Sequence, residues 1–137
     1  MEAVSRIEFP EWRDEVVEAV RSLSDLAYQK RVWVDRDYPQ PGFYDALDEC
    51  VHTLFDDADV LPEPSGRLGV LLRSETEVEA LRPLGSLLDA VVEDLGTSPA
   101  DRYLADPRWP EVVRRAGIAY QVLSAPDLPS DSGRAPQ

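Results

Sequence analysis

Apolar side chains return every three or four residues in four separate stretches of this chain, and that period does most to narrow its fold. In the first stretch Phe9, Trp12, Val16, Ala19, Val20, Leu23 and Ala27 recur at helical spacing, with Glu11, Asp14, Glu15, Glu18 and Arg21 between them. Pro10 suits the first turn of such a helix, where its missing N–H has no intrahelical partner, and the early acids complement the positive end of the dipole. Ser22, Ser24 and Asp25 offer places for it to stop before Leu26.

A second helix is predicted from about Phe43 to Phe55, with Leu47, Cys50, Val51 and Leu54 inward and Asp45, Asp48, Glu49, His52 and Asp56 outward. Between these two helices, Val32 to Gly42 reads as an ordered loop, because Pro39 and Pro41 bias their predecessors toward extended backbone. Leu68 to Leu72 is an apolar run too short to assign by period, and reads as buried. Ser74 and Glu77 have capping-box spacing. They open a third helix with Val78, Leu81, Leu84, Leu88, Val91, Val92 and Leu95 on one face, stopped by Gly96. That stripe stays in phase across Pro83, which predicts one helix kinked there rather than two. Ser98-Pro99 opens a short helix through Leu104, and the last helix carries Trp109, Val112, Val113, Ala116, Ala119, Tyr120 and Leu123 inward.

The expected fold is therefore all-α: a compact bundle of four main amphipathic helices with one or two short ones. No pair of alternating segments is available for a sheet. At 137 residues one core is the natural division, with a single domain over residues 1–125 and a disordered tail over 126–137. A lone cysteine excludes a disulfide framework and suits a reducing cytoplasm. The N-terminus lacks a basic region leading into an apolar one, and charges interrupt every apolar run before it reaches membrane-spanning length, so a cytoplasmic location is expected.

Charge narrows the function. With 27 acids against 14 Lys plus Arg the net charge is −13, which repels nucleic acid phosphates and anionic lipid surfaces and leaves basic partners open. The acids are also unevenly placed. No Lys or Arg lies between Arg36 and Arg67, whereas Asp37, Asp45, Asp48, Glu49, Asp56, Asp57, Asp59 and Glu63 all do. Asp48, Glu49, Asp56, Asp57, Asp59 and Glu63, with Trp33 beside the start of the stretch, form the candidate partner-binding set. Like charges one turn apart destabilise a helix by a few tenths of a kcal/mol per pair, roughly, so such a surface is tolerated or used. A plain solvated face is the structural alternative.

Catalytic signatures are missing: the chain has no Gly-rich phosphate loop, nucleophile elbow, His-Glu zinc helix or Cys pair. His52 is the only histidine, so any histidine-dependent triad would depend on it, and a surface position among acids suits that role poorly. Asp48, His52 and Asp56 one turn apart could contribute ligands to a metal, which would still need others from elsewhere. Asp57-Ala-Asp59 lacks the glycine and the terminal acid of a calcium loop. Cys50, on an apolar face, reads as a small core residue rather than a nucleophile. No cofactor is implied. Trp12 and Trp109 sit on inner faces and read as core, while Trp33 reads as either a core plug or an interface residue.

Several of these segments together carry a resemblance. Phe43-Tyr-Asp-Ala-Leu through Leu54-Phe-Asp-Asp, Leu68-Gly-Val-Leu-Leu, Glu77-Val-Glu-Ala-Leu, Leu88-Asp-Ala-Val and Asp106-Pro-Arg-Trp-Pro-Glu-Val-Val resemble a family of small acidic proteins from actinobacteria, over roughly residues 43–123. The resemblance implies a helical cytosolic domain and supplies no catalytic residues. In architecture and charge the chain is also similar to immunity proteins, which neutralise toxins by covering a basic active site. The leading expectation is thus a non-enzymatic domain that binds a basic protein, immunity- or antitoxin-like. A metal-dependent enzyme or sensor built on His52, and a self-associating module using Trp33 and Ile118, are the other two.

Overall fold

A computed structural model of the chain describes residues 7–42 and 45–125. The expected tail over 126–137, and the expected helix start at Phe43 and Tyr44, lie outside the described residues. Among those residues the backbone forms six α-helices and no strand beyond one isolated bridge between Leu68 and Leu72.

Helix α1 spans Pro10–Leu23, with the proline in its first turn. Ser24 ends it: its N–H donates to Val20 and Arg21 carbonyls, and its hydroxyl donates to Arg21 O at 2.6 Å. Asp25 then caps the next helix by accepting the Tyr28 N–H at 3.0 Å. This second helix, α2, is a single α-turn at Leu26–Tyr28 that continues as wider π-type turns over Gln29–Val34. The loop expected from Val32 therefore begins only at Asp35. The prolines bias their own predecessors and reach no further back, so Val32 and Trp33 are free to join the helix.

Helix α3 is shorter than its apolar pattern suggested, covering Leu47–His52 before passing into π-type turns over Thr53–Asp57. Asp45 and Ala46 precede it in non-helical conformation. Pro64–Arg67 forms a 3-10 turn, after which Leu71 and Leu72 are buried but Leu68 is exposed, a partial correction to the expected apolar run. Helix α4 is unbroken over Glu75–Leu95, passing through Pro83 as the in-phase stripe predicts, and ends at Gly96. The short α5 (Ala100–Leu104) and the long α6 (Trp109–Ser124) follow.

Helices α4 and α6 pack along each other, α1 packs against α6, and α3 lies beside α1. Val78, Leu81, Leu84, Leu88 and Val91 from α4 meet Val112, Ala116 and Ala119 from α6 and Val16, Val20 and Leu23 from α1 in one buried cluster. Each fully buried aliphatic side chain contributes about 1.5–3 kcal/mol, so this cluster dominates the stabilisation. Gly85 marks a close crossing: a Cβ there would lie 2.5 Å from the Pro62 carbonyl oxygen.

Besides Ser22 at the end of α1, the polar residues Gln29 and Glu77 are buried, and neither burial was expected. Gln29 donates both amide hydrogens, to the Ser22 and Leu23 carbonyls at the end of α1, and accepts the Trp109 indole N–H at 2.9 Å. Glu77, with a side chain 2% exposed, takes a two-pronged contact from Arg13 at 2.9 and 2.8 Å and further hydrogen bonds from the Arg73 backbone and guanidinium. Its carboxylate thus reaches the Arg73 N–H rather than that of Ser74, and the capping box read from the spacing is not formed. Arg13 also donates to the Leu71 and Leu123 carbonyls, tying α1, α4 and the end of α6 together.

That cluster reverses one expectation. Trp12, read as core, is 41% exposed, and Phe9 is 44% exposed. Successive residues on a helix point about 100° apart, so the turn that carries Arg13 inward to Glu77 carries Trp12 outward.

Candidate functional site

The acidic stretch does not present itself as one uniform face. Asp45, expected on the outer side of a helix, sits before α3, half-buried, where its carboxylate accepts the Tyr28 hydroxyl at 2.6 Å and the Trp33 indole N–H at 3.0 Å. Burial, then the hydrogen bond to Asp45, pushes the Tyr28 phenol well above its ordinary range. Trp33 is only 5% exposed and packs edge-to-face on Tyr28 with ring centres 6.3 Å apart. Of its two readings the plug is the one realised, and its inclusion in the partner-binding set is corrected: a buried indole has little surface to offer.

Two more acids of the stretch turn out to be opposed. Asp59 pairs with Arg67 at 2.9 Å, and Glu63 pairs with Arg82 at 3.0 Å. The Arg82 hydrogen bond, helped by Ser65, lowers the Glu63 carboxyl to about 2. A gap in basic residues along the chain does not bar basic residues in space, since Arg82 arrives from α4.

What remains single-signed is centred on α3. Asp48 and Glu49 are exposed and form no ion pair with any described residue. Asp56 and Asp57 hold His52 between them: its Nδ1 lies 2.8 Å from Asp56 and its Nε2 lies 3.3 Å from Asp57. Asp57 shares this face because the turn after His52 is π-type, which places the fifth residue near the first. The two carboxylates approach opposite ring nitrogens instead of converging on one point. Among the described residues no group of three or more His, Cys, Asp or Glu side chains is arranged to hold a metal ion.

The tertiary structure adds acids that the linear pattern could not assign to this surface. A cleft of about 320 Å³ runs between α1 and α3, lined by Glu15, Glu18, Asp45 and Glu49. Its one basic residue, Arg21, is held by Glu18 at 2.8 Å. A second cleft of about 380 Å³ lies on the other flank of α3, lined by Asp48, His52 and Asp56 with Tyr103. Burial, then the nearby Asp48 charge, raises the Tyr103 phenol. Thus the acids of α3 line a cleft on each flank. Such clefts concentrate negative potential, attract cations and accept hydrogen bonds from guanidinium or ammonium groups.

Cys50 lies at the floor of the first cleft, 4% exposed, with its Sγ 3.2 Å from the Ala19 carbonyl. Burial, reinforced by Asp45, pushes its thiol far up, the opposite of what a nucleophile requires.

No helix among the described residues is long and apolar enough to cross a membrane. No curated protein matches the chain, and no solved structure matches it. Residues 7–131 match the family model described as Domain of unknown function (DUF7945), and with nearly the whole helical unit inside that match, the chain belongs to the DUF7945 family.

Proposed function

We propose that this chain is a non-enzymatic cytoplasmic domain that binds a basic protein partner, in the manner of an immunity or antitoxin-like protein, through the acids of α3 and the facing acids of α1. The observation that carries the reading is the pairing pattern. Asp59, Glu63 and Asp45 are matched by Arg67, Arg82 and aromatic donors, whereas Asp48 and Glu49 project between two acid-lined clefts with no cation of the described residues on them. Unmatched like charges held on one face repel each other, and a cationic partner relieves that repulsion while being steered toward it. Asp56 and Asp57 extend the same face through His52, with Asp59 and Glu63 at its margin, where Arg67 and Arg82 already meet them.

The test is charge reversal of Asp48, Glu49, Asp56 and Asp57 to Lys, followed by affinity capture from the native cytosol at low and high salt. The natural chain should retain a basic protein at low salt and release it at high salt, and the reversed chain should retain none. A complex indifferent to both salt and reversal would refute the proposal.

A further inference from the structure

The exposure of Trp12 is imposed by the core. Arg13 is fixed inward by its two-pronged contact with Glu77 and by the Leu71 and Leu123 carbonyls, so its neighbour has to face out. Phe9, the residue immediately before α1, is exposed as well. The segment at Gly69–Leu71 runs beside this turn: Glu8 N–H donates to the Gly69 carbonyl, and Phe9 N–H donates to that of Val70. This brings Leu68, also exposed, to the same end of the molecule. Trp12, Phe9 and Leu68 give this end of the molecule exposed apolar surface, with the exposed acids Glu8, Glu11 and Glu15 close to them along the chain.

These acids decide what can cover it. A second copy would set them against their own counterparts in a chain of net charge −13, and an anionic lipid surface is repelled in the same way. A partner with an apolar stripe flanked by cations meets no such penalty. Its aliphatic groups cover the rings, its arginines stack on the indole face, and its remaining cations reach the acids. Tryptophan is also the residue type that most often dominates an interface when it lies at the centre of one. The face is continuous with the acidic surface already described, because Glu15, one turn from Trp12, lines the cleft shared with Glu49.

We propose that this face docks a basic amphipathic helix of the protein partner, whose apolar side chains cover Phe9 and Trp12 while its Lys and Arg side chains meet Glu8, Glu11 and Glu15. The proposal rests on the preceding reading only for the partner's positive charge. The positions of the other tryptophans make it testable: Trp33 and Trp109 are buried, so Trp12 supplies the fluorescence that a neutral quencher such as acrylamide can reach.

The probe is a synthetic amphipathic helix of Leu and Lys, carrying a dye, added to the full chain beside a peptide of the same composition in scrambled order. The patterned peptide should shield Trp12 from acrylamide and the scrambled one should not. Trp12→Ala should weaken binding of the patterned peptide, followed through its dye, by about tenfold or more while leaving the melting temperature unchanged. Trp12 equally quenched with and without the peptide, or an unaltered affinity in Trp12→Ala, overturns the proposal. So does a Trp12 already shielded in the free chain, whether the shielding vanishes on dilution, as for a second copy, or on deletion of residues 126–137. Failure of the acidic-surface reading looks different: reversal at Asp48, Glu49, Asp56 and Asp57 would leave capture from the cytosol intact while Trp12→Ala still released the peptide.

Discussion

Among the described residues two glycines lie inside long helices, and the structure predicts opposite outcomes when each becomes alanine. Gly85 in α4 and Gly117 in α6 both have ordinary helical backbone, so either substitution gains the intrinsic helix preference of alanine, about 0.8–1.0 kcal/mol. At Gly117 nothing lies within 4 Å of the added methyl, and that gain stands as net stabilisation. At Gly85 the methyl would meet the Pro62 carbonyl oxygen at 2.5 Å, Leu61 Cδ2 at 3.0 Å and the Pro62 carbonyl carbon at 3.1 Å. The oxygen belongs to the backbone, and Leu61 is itself 1% exposed, so the contact opens only if the 61–62 segment moves off α4 and loosens its own packing. Overpacking of this kind costs about 1–3 kcal/mol, and a backbone obstacle places Gly85 in the upper part of that range. Subtracting the helix gain leaves Gly85→Ala destabilised by about 1–2 kcal/mol. Urea unfolding followed by far-ultraviolet circular dichroism measures both variants against the natural chain, with the m-value checked for constancy. Should Gly85→Ala prove as stable as Gly117→Ala, Pro62 does not cross α4 this closely.

Two further predictions concern buried polar groups. Burial alone would raise the Glu77 carboxyl, but the Arg13 and Arg73 hydrogen bonds outweigh it and hold the group below its ordinary value of 4.5. Folding therefore favours the ionised form, and the stability this contributes is complete above pH 4.5 and lost as the pH falls through the lower folded value. Glu77→Gln should lower stability at neutral pH, by up to about 3–5 kcal/mol because two guanidinium groups lose their shared counter-charge, and should flatten the acid limb of a stability-versus-pH curve. An acid limb unchanged by the substitution would disprove the assignment. Asp45→Asn should bring the Tyr28 phenol part of the way back toward its ordinary range, since burial persists while the charged acceptor is gone; phenolate absorbance in an alkaline titration reads this directly, and an unmoved transition refutes it.

How far the fold could be read in advance depended on which side of a helix had a simple task. Along α4, Val78, Leu81, Leu84, Leu88 and Val91 all face the core as their spacing requires, and the stripe carries the helix through Pro83. The period failed where a polar residue had a buried partner. Arg13 and Gln29 break no pattern in the sequence, because a helix surface is expected to carry polar residues. Only the arrival of Glu77 beside one and Trp109 beside the other places them inside. A near-miss was available in Glu77, whose capping-box spacing marked it as an acceptor near the start of α4 while its actual donors lay at Arg73 and Arg13.

The acidic surface shows the same division. Asp48 and Glu49 were identifiable as exposed acids from their places opposite Leu47, Cys50 and Val51 on a helix. Whether an acid is unmatched is a question of distances through space, however, and Coulomb attraction does not follow chain order. Asp59 and Glu63 found arginines, Asp45 found Tyr28 and Trp33, and Glu15 and Glu18 joined the surface from α1. An all-helical chain, the inner stripes of α4 and α6, the burial of Cys50 and a strong excess of negative charge were all legible in the residues taken in order. These follow from local period and composition, which act along the backbone. Tertiary structure alone decided which acids stay unpaired, that Trp33 is a plug, and that Trp12 faces solvent. Those outcomes depend on Arg13, Asp45 and Glu77 meeting partners from distant segments, with one helix rotation compelled to satisfy a buried charge before it can bury a ring.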